Sequence, residues 1–150
     1  APHEVGHENI RRIQKLFPHS IRYSQTDPER GRRVNSQVLI IDSVGLLNEL
    51  YHYADVAYVG GGFRTGLHNV FEATAFGVPT VFGPDTSRFP DAAKMAQKGL
   101  AFQVRNQVEL KVKLDELLSH DKAQLRTEIK SFMTSRTGAT KVILEYTNKC

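Results

Sequence analysis

Residues 58–84 read YVGGGFRTGLHNVFEATAFGVPTVFGP, and this stretch decides the fold of the chain. The apolar run ADVAYV leads into it and ends in three consecutive glycines, and a fourth, Gly66, precedes an amphipathic segment that ends near Gly77. A second apolar run, PTVFG, follows. This order predicts a strand, a glycine loop, a helix and a strand, which together form one βαβ unit. A glycine loop before a helix favours an anionic ligand, most often a phosphate, because the backbone N–H groups there are accessible.

The composition is that of a single soluble globular domain. The chain has 150 residues, of which 40% are hydrophobic and 24% charged, and no apolar run approaches the roughly 20 residues needed to span a bilayer. The polar start, APHEVGHENIRR, does not resemble a signal peptide, and the single cysteine, Cys150, fits a reducing cytosol without internal disulfides. The net charge of +4 fits an anionic ligand, an acidic membrane surface or plain solubility, and nucleic acid is not an expected partner.

The rest of the chain repeats the apolar runs that predict strands and the amphipathic segments that predict helices. Residues 4–17 predict a helix that Pro18 stops, and because a βα unit normally begins with its strand, we expect a fragment that starts just after a lost first strand. The predicted strands are 21–24, 38–41, 55–59, 80–82 and 100–104, the further predicted helices are 46–54, 67–77, 92–97, 108–118, 122–135 and 139–148, and 26–36 is a polar loop. The continuous apolar run 38–41 predicts a strand buried on both faces.

This alternation predicts an α/β fold, a Rossmann-like parallel sheet with helices on both faces. In such sheets ligands bind at the carboxyl ends of the strands. We therefore expect several segments at one edge, namely the glycine loop, Asp42-Ser43, Gly83-Pro84 and Ala1-Pro2-His3.

The glycine spacing alone does not identify the ligand. Gly62 and Gly66 lie one residue too far apart for the dinucleotide fingerprint, and no Gly-Lys-Ser/Thr sequence forms a Walker loop. Two interpretations stay open, a phosphate-binding loop and a tight turn that serves only the fold.

The predicted helix after the loop carries three polar residues that leave its apolar stripe. His68, Asn69 and Glu72 are spaced so that their side chains can lie near one another. A carboxylate accepts two hydroxyl hydrogens, so Glu72 could hold ribose hydroxyls while Asn69 and the loop amides hold phosphate. The alternative is structural, with Glu72 interacting with the helix dipole and Asn69 near the cap. We expect Glu72 more than a turn into the helix, where the dipole effect fades.

These residues resemble the donor-binding half of the bacterial 3-deoxy-D-manno-octulosonic acid (Kdo) transferases. The HNxxE block in its GG…FGxP frame, the APHE opening, the VLIIDSVG run and the Pro84 segment leading into Arg88-Phe89 match in the same order, over most of residues 1–104. Two positions depart from the family pattern. Gly66-Leu67 stands where Gly-Gly is frequent before His-Asn, and Leu46 stands where Glu is usual.

The resemblance implies one half of a GT-B glycosyltransferase, in which residues 1–150 form a single domain that binds the nucleotide sugar CMP-Kdo without a cofactor or metal. A missing amino-terminal domain would bind the lipid A precursor and supply the catalytic carboxylate, so no catalytic residue is expected in this chain. The full-length enzyme of lipopolysaccharide biosynthesis would associate peripherally with the cytoplasmic face of the bacterial inner membrane. The substrate-binding residues implied are Pro2, His3, Asp42, Ser43 and Val44 near the nucleotide, Gly61, Gly62, Gly66 and Asn69 near the phosphate, and Glu72 on the ribose, with Arg64 and His68 as further donors.

The chemistry of CMP-Kdo agrees with these residues. Negative charge grows on the phosphate as its bond to the sugar breaks, and fixed N–H groups stabilise that charge. Because the chain offers no convincing general base, we expect it to bind nucleotide weakly and to transfer nothing. Two other functions stay open: the donor domain of another GT-B enzyme or epimerase that uses a UDP-sugar, and a non-catalytic domain for protein contact.

Overall fold

The structure is a computed structural model that describes residues 1–2, 4–26, 36–63 and 66–147. The chain forms two compact units, Ala1–Leu50 and Tyr51–Cys150. The predicted polar loop 26–36 lies almost wholly outside the described residues, as do His3 and Arg64. In the part of the chain that is described, no helix is both long and apolar enough to cross a membrane.

The first unit contains a long helix and a pair of short strands. Helix α1 (His7–Leu16) buries Ile10 and ends before Pro18, as predicted. Strands β1 (Ile21–Arg22) and β2 (Leu39–Ile40) pair in parallel. Helix α2 (Leu47–Tyr51) follows and is shorter than predicted.

Two predictions for this unit need correction. The predicted strand 21–24 ends early because a 3₁₀ turn, Tyr23–Gln25, replaces its second half. The run 38–41 was expected to be buried on both faces, but Leu39 is 45% exposed while Ile40 is 3% exposed. An apolar run indicates a buried strand without revealing how many of its faces other elements cover.

The second unit holds a three-stranded parallel sheet in the order β3–β4–β5, formed by Ala57–Val59, Thr80–Phe82 and Phe102–Gln103. Its helices are α3 (Phe71–Ala75), α4 (Pro90–Gln97), α5 (Gln107–Ser119), α6 (Ala123–Thr134) and α7 (Ala139–Thr147). The central strand β4 has its predicted bounds and is buried throughout. The alternating pattern therefore correctly located the centre of the sheet.

Helices cover both faces of this sheet. Successive side chains of a strand point to opposite faces, and the two neighbours Val81 and Phe82 belong to different hydrophobic clusters. Phe82 packs with Met95 of α4 and Ile129 of α6, while Val81 packs with Leu117 of α5. The predicted α/β class, with a parallel sheet between helices, is confirmed.

Candidate functional site

The glycine loop after β3 packs closely against the connection between β4 and α4. The Gly61 backbone has φ +86°, and a Cβ atom on that residue would overlap the Gly66 carbonyl oxygen. A Cβ atom on Gly83 would lie 2.6 Å from the Gly61 carbonyl oxygen. The Asp85 N–H donates to the Gly62 carbonyl at 2.9 Å. Glycine at these positions is therefore required by the packing of the loop, whether or not a ligand binds there.

The segment after the loop is not yet helical, which corrects the predicted helix start. Helix α3 begins at Phe71 and not near Gly66. The Asn69 Oδ1 atom accepts a hydrogen bond from the Phe71 N–H at 3.0 Å. The His68 N–H donates to the Gly60 carbonyl at 3.2 Å. These bonds replace helical ones and hold residues 68 and 69 beside the loop.

The predicted proximity of Asn69 and Glu72 is confirmed. The Asn69 Nδ2 atom donates to Glu72 Oε1 at 3.2 Å, so one amide side chain joins the end of the loop to the start of α3. Glu72 lies in the first turn of α3, which contradicts the expectation that it lies more than a turn inside the helix. Its interaction with the helix dipole is therefore larger than expected, although a five-residue helix has few aligned peptide dipoles.

Sequence reasoning did not identify Tyr51, whose side chain lies near Glu72. Burial, and to a smaller extent the negative charge of Glu72, raises the pKa of the Tyr51 phenol. The Tyr51 ring also packs on Phe76, with 5.9 Å between the ring centroids. Tyr51 comes 21 positions before Glu72, and its place on the apolar face of a predicted helix indicated only packing.

In the first unit, the Asp42 side chain is almost completely buried and accepts three hydrogen bonds. Its side chain is 1% exposed. One carboxylate oxygen accepts from Arg22 Nε at 2.7 Å and from the Ser24 hydroxyl at 2.6 Å, and the other accepts from the Ser24 N–H at 2.9 Å. The Ser24 hydroxyl, assisted by the Ser24 amide and Arg22 and opposed by burial, lowers the pKa of Asp42 to about 2. This carboxylate therefore fastens the end of β1 to the end of β2.

The residues next to Asp42 differ in their surroundings. The Ser43 hydroxyl is buried and has no hydrogen-bond partner within the described residues. Val44 is 86% exposed, and Pro2 is half-buried. The predicted roles of Pro2, Asp42, Ser43 and Val44 toward a nucleotide stay predictions.

A metal centre is absent from the described residues. Among residues 1–2, 4–26, 36–63 and 66–147, no three His, Cys, Asp or Glu side chains are placed to hold a metal ion.

The second unit contains a pocket away from the glycine loop. The pocket, of about 460 Å³, lies between the end of α4 and helix α6 and contains no predicted site residue. It is lined by Lys98, Leu100, Glu128, Ser131, Phe132 and Ser135.

Known proteins resemble this chain in sequence and in structure, although no family model matches it. It is 40% identical over 100 residues to 3-deoxy-D-manno-octulosonic acid transferase of Aquifex aeolicus (strain VF5), a match covering 65% of this chain and 28% of that protein. The enzyme of the same name from Rickettsia conorii (strain ATCC VR-613 / Malish 7) is 32% identical over 117 residues, covering 77% of this chain and 25% of the relative. The chain thus spans about a quarter of the length of the curated relatives it matches.

A solved structure shares the fold. The crystal structure of the C-terminal CMP-Kdo binding domain of WaaA from Acinetobacter baumannii superimposes with a TM-score of 0.66 and 20% sequence identity, covering 85% of this chain and 66% of that one. This similarity confirms the predicted Rossmann-like α/β fold.

Proposed function

We propose a function from one premise: the chain belongs to the family of 3-deoxy-D-manno-octulosonic acid (Kdo) transferases. Residues 1–150 act as the single donor-binding domain of a GT-B glycosyltransferase. The donor is CMP-Kdo, the nucleotide sugar that the similar WaaA domain binds. The observation that carries this proposal is the Asn69–Glu72 hydrogen bond of 3.2 Å directly after the glycine loop.

The geometry suits a nucleotide with its phosphate and ribose side by side. Glu72 is half-buried and accepts hydroxyl hydrogens of the ribose, because a carboxylate presents two oxygens to neighbouring hydroxyls. Asn69 uses one N–H on Glu72 and has a second N–H for the phosphate. The loop residues Gly61, Gly62 and Gly66 add backbone amides, and His68 is a further donor. As the bond from phosphate to sugar breaks, these donors stabilise the growing charge.

The remaining steps belong to the full-length protein. A separate amino-terminal domain binds the lipid A precursor and supplies the base that deprotonates its hydroxyl. The full-length enzyme acts at the cytoplasmic face of the inner membrane by peripheral association, to which the net charge of +4 on this chain contributes. Supporting this view, the curated relatives are transferases several times longer than the matched region.

Calorimetric titration with CMP, 2′-deoxy-CMP, UDP and ADP tests the proposal. We expect CMP to bind most tightly, and Glu72→Gln to weaken CMP binding by roughly tenfold or more, since a hydrogen bond to a charged group contributes about 1.5–3 kcal/mol. The same substitution should abolish the preference for CMP over 2′-deoxy-CMP. Glu128→Gln, an exposed carboxylate on α6, is the matched control and should bind all four ligands unchanged.

Three results would contradict the proposal. A clear preference for UDP would favour a donor domain for UDP-sugars. Unchanged CMP binding by Glu72→Gln would show that Glu72 does not contact the nucleotide. If neither the wild type nor any variant binds any of the four nucleotides, a domain for protein contact is favoured.

A further inference from the structure

Arg88 lies across the glycine loop. A Cβ atom built on Gly66 would meet three atoms of this side chain, Nη1 at 3.2 Å, Cδ at 3.4 Å and Cζ at 3.5 Å. The guanidinium group therefore rests on the open face of Gly66, where any other residue would carry a side chain. Glycine at position 66 thus leaves room for a positive charge beside the loop backbone.

This positive charge has no acidic partner at ion-pair distance in the described part of the chain. Arg88 makes no hydrogen bond or ion pair there, and its side chain is exposed. The Oδ1 atom of nearby Asp85 accepts from the Ser87 N–H at 3.0 Å, and Ser87 lowers the pKa of Asp85 more than the charge of Arg88 does. A guanidinium group carries five N–H donors and stays charged at every physiological pH. With respect to the described residues, the N–H donors of Arg88 are therefore available to an anion.

The backbone on both sides of Arg88 is held in place. The Asp85 N–H donates to the Gly62 carbonyl at 2.9 Å, and the Phe89 N–H donates to the Thr86 carbonyl at 2.8 Å. Phe89 packs against the hydrophobic core beside α4. The neighbours of Arg88 are thus anchored on both sides, so the fold fixes the Arg88 backbone beside Gly66.

We propose that Arg88 binds the phosphate of the donor nucleotide. This inference rests on the proposed function and adds to it a residue with a charged contact. A planar guanidinium group forms two parallel hydrogen bonds to a phosphate, and it meets the ligand on the side of Gly66 where backbone amides are also present. Arg88 thereby opposes the charge that grows on the phosphate as the sugar leaves.

Titration of the 150-residue chain with CMP and with cytidine tests this role. Arg88→Ala should weaken CMP binding by roughly tenfold to a hundredfold and leave cytidine binding unchanged, because only CMP carries the phosphate. The CMP affinity of Arg88→Lys should lie between those of the wild type and Arg88→Ala, because lysine keeps the charge but cannot form two parallel hydrogen bonds to a phosphate. Lys98→Ala is the matched control for net charge, because Lys98 is an exposed cation at the far end of α4.

A second variant tests the contact itself without removing the charge. Gly66→Ala places a methyl group against the Arg88 side chain, which must then move by a few tenths of an ångström. It should weaken CMP binding severalfold in the wild-type background. In the Arg88→Ala background the same substitution should have a clearly smaller effect.

The outcomes separate this inference from the proposed function. Suppose that the wild type binds CMP. If Arg88→Ala then binds CMP equally well, or loses affinity for CMP and cytidine to the same extent, the inference about Arg88 is wrong while the proposed function stands. If the wild type binds no CMP, titration with inorganic phosphate followed by NMR decides. If phosphate shifts the NMR signals of the loop in the wild type but not in Arg88→Ala, Arg88 is an anion-binding residue. Any other pattern of shifts shows that it is not.

Discussion

The glycine loop after β3 and the cluster of Arg22, Ser24 and Asp42 are stabilised in opposite ways, although both follow parallel strands. The loop is held together by the absence of side chains, because Gly61 and Gly83 allow backbone atoms into contact. The cluster is held together by side chains, because three hydrogen bonds converge on one buried carboxylate.

From this difference we expect the loop, more than the cluster, to be available to a ligand. The Asp42 carboxylate already accepts three hydrogen bonds and has little remaining capacity for a ligand. The loop region presents two side-chain donors, the Arg88 guanidinium group and the second N–H of Asn69. Both regions follow strand ends, but the carboxylate of the cluster is occupied by hydrogen bonds within the described residues, whereas the guanidinium group beside the loop is not.

Gly61→Ala should have the largest effect on stability. The new methyl group would overlap the Gly66 carbonyl and the residue would keep φ +86°, so we expect a loss of about 3 kcal/mol or more in the free energy of unfolding. Urea unfolding monitored by circular dichroism measures it. Gly99→Ala is the control, because Gly99 has φ +70° with no atom within 4 Å of a built Cβ, and it should lose about 1–2 kcal/mol. Equal losses would show that close packing does not stabilise the loop.

Asp42→Asn should have the next largest effect, and the effect should depend on pH. The pKa of Asp42 is lowered from its ordinary 3.8 to about 2. The carboxylate therefore contributes stability that is present above about pH 4 and is lost as the pH falls toward 2. At pH 7 we expect Asp42→Asn to cost about 1–3 kcal/mol, since it leaves Arg22 without its charged partner. Urea unfolding at about pH 7, 4 and 2.5 should show this difference shrinking with acid.

An exposed aspartate provides the control for this experiment. Ser87 also lowers the pKa of Asp85, but that carboxylate is exposed to solvent. Asp85→Asn should therefore change stability much less than Asp42→Asn at every pH. A pH-independent loss in Asp42→Asn would mean that the amide fails to pack and that the charge itself is unimportant.

Ser43→Ala should have the smallest effect. The Ser43 hydroxyl is buried without a partner among the described residues, so removing it should leave stability unchanged or raise it by up to about 1 kcal/mol. Ser24→Ala is the matched control in the same unit, because the Ser24 hydroxyl donates to Asp42 at 2.6 Å, and it should cost about 1–2 kcal/mol. A clear loss in Ser43→Ala would reveal a hydrogen bond that this structure does not show.

Several features of the fold were predictable because they depend on short stretches of sequence. The strand Thr80–Phe82 and the helices α5 and α6 follow local periodicity, and their predicted bounds differ from the observed ones by at most one residue. The Asn69–Glu72 contact was also predictable because it joins residues three positions apart. The start of α3 was not predictable, because the Asn69 Oδ1 atom accepts from the Phe71 N–H although the apolar repeat continues through this segment.

By itself, the sequence determined the α/β class, the glycine loop and the pair formed by Asn69 and Glu72, because each depends on residues a few positions apart. Only the tertiary structure decided that Arg22 and Ser24 bond to Asp42, that Tyr51 lies near Glu72, and that Arg88 covers Gly66. These contacts join residues about 20 positions apart. Packing of strands and helices brings these residues together, and no local sequence pattern specifies which distant residue will make the contact.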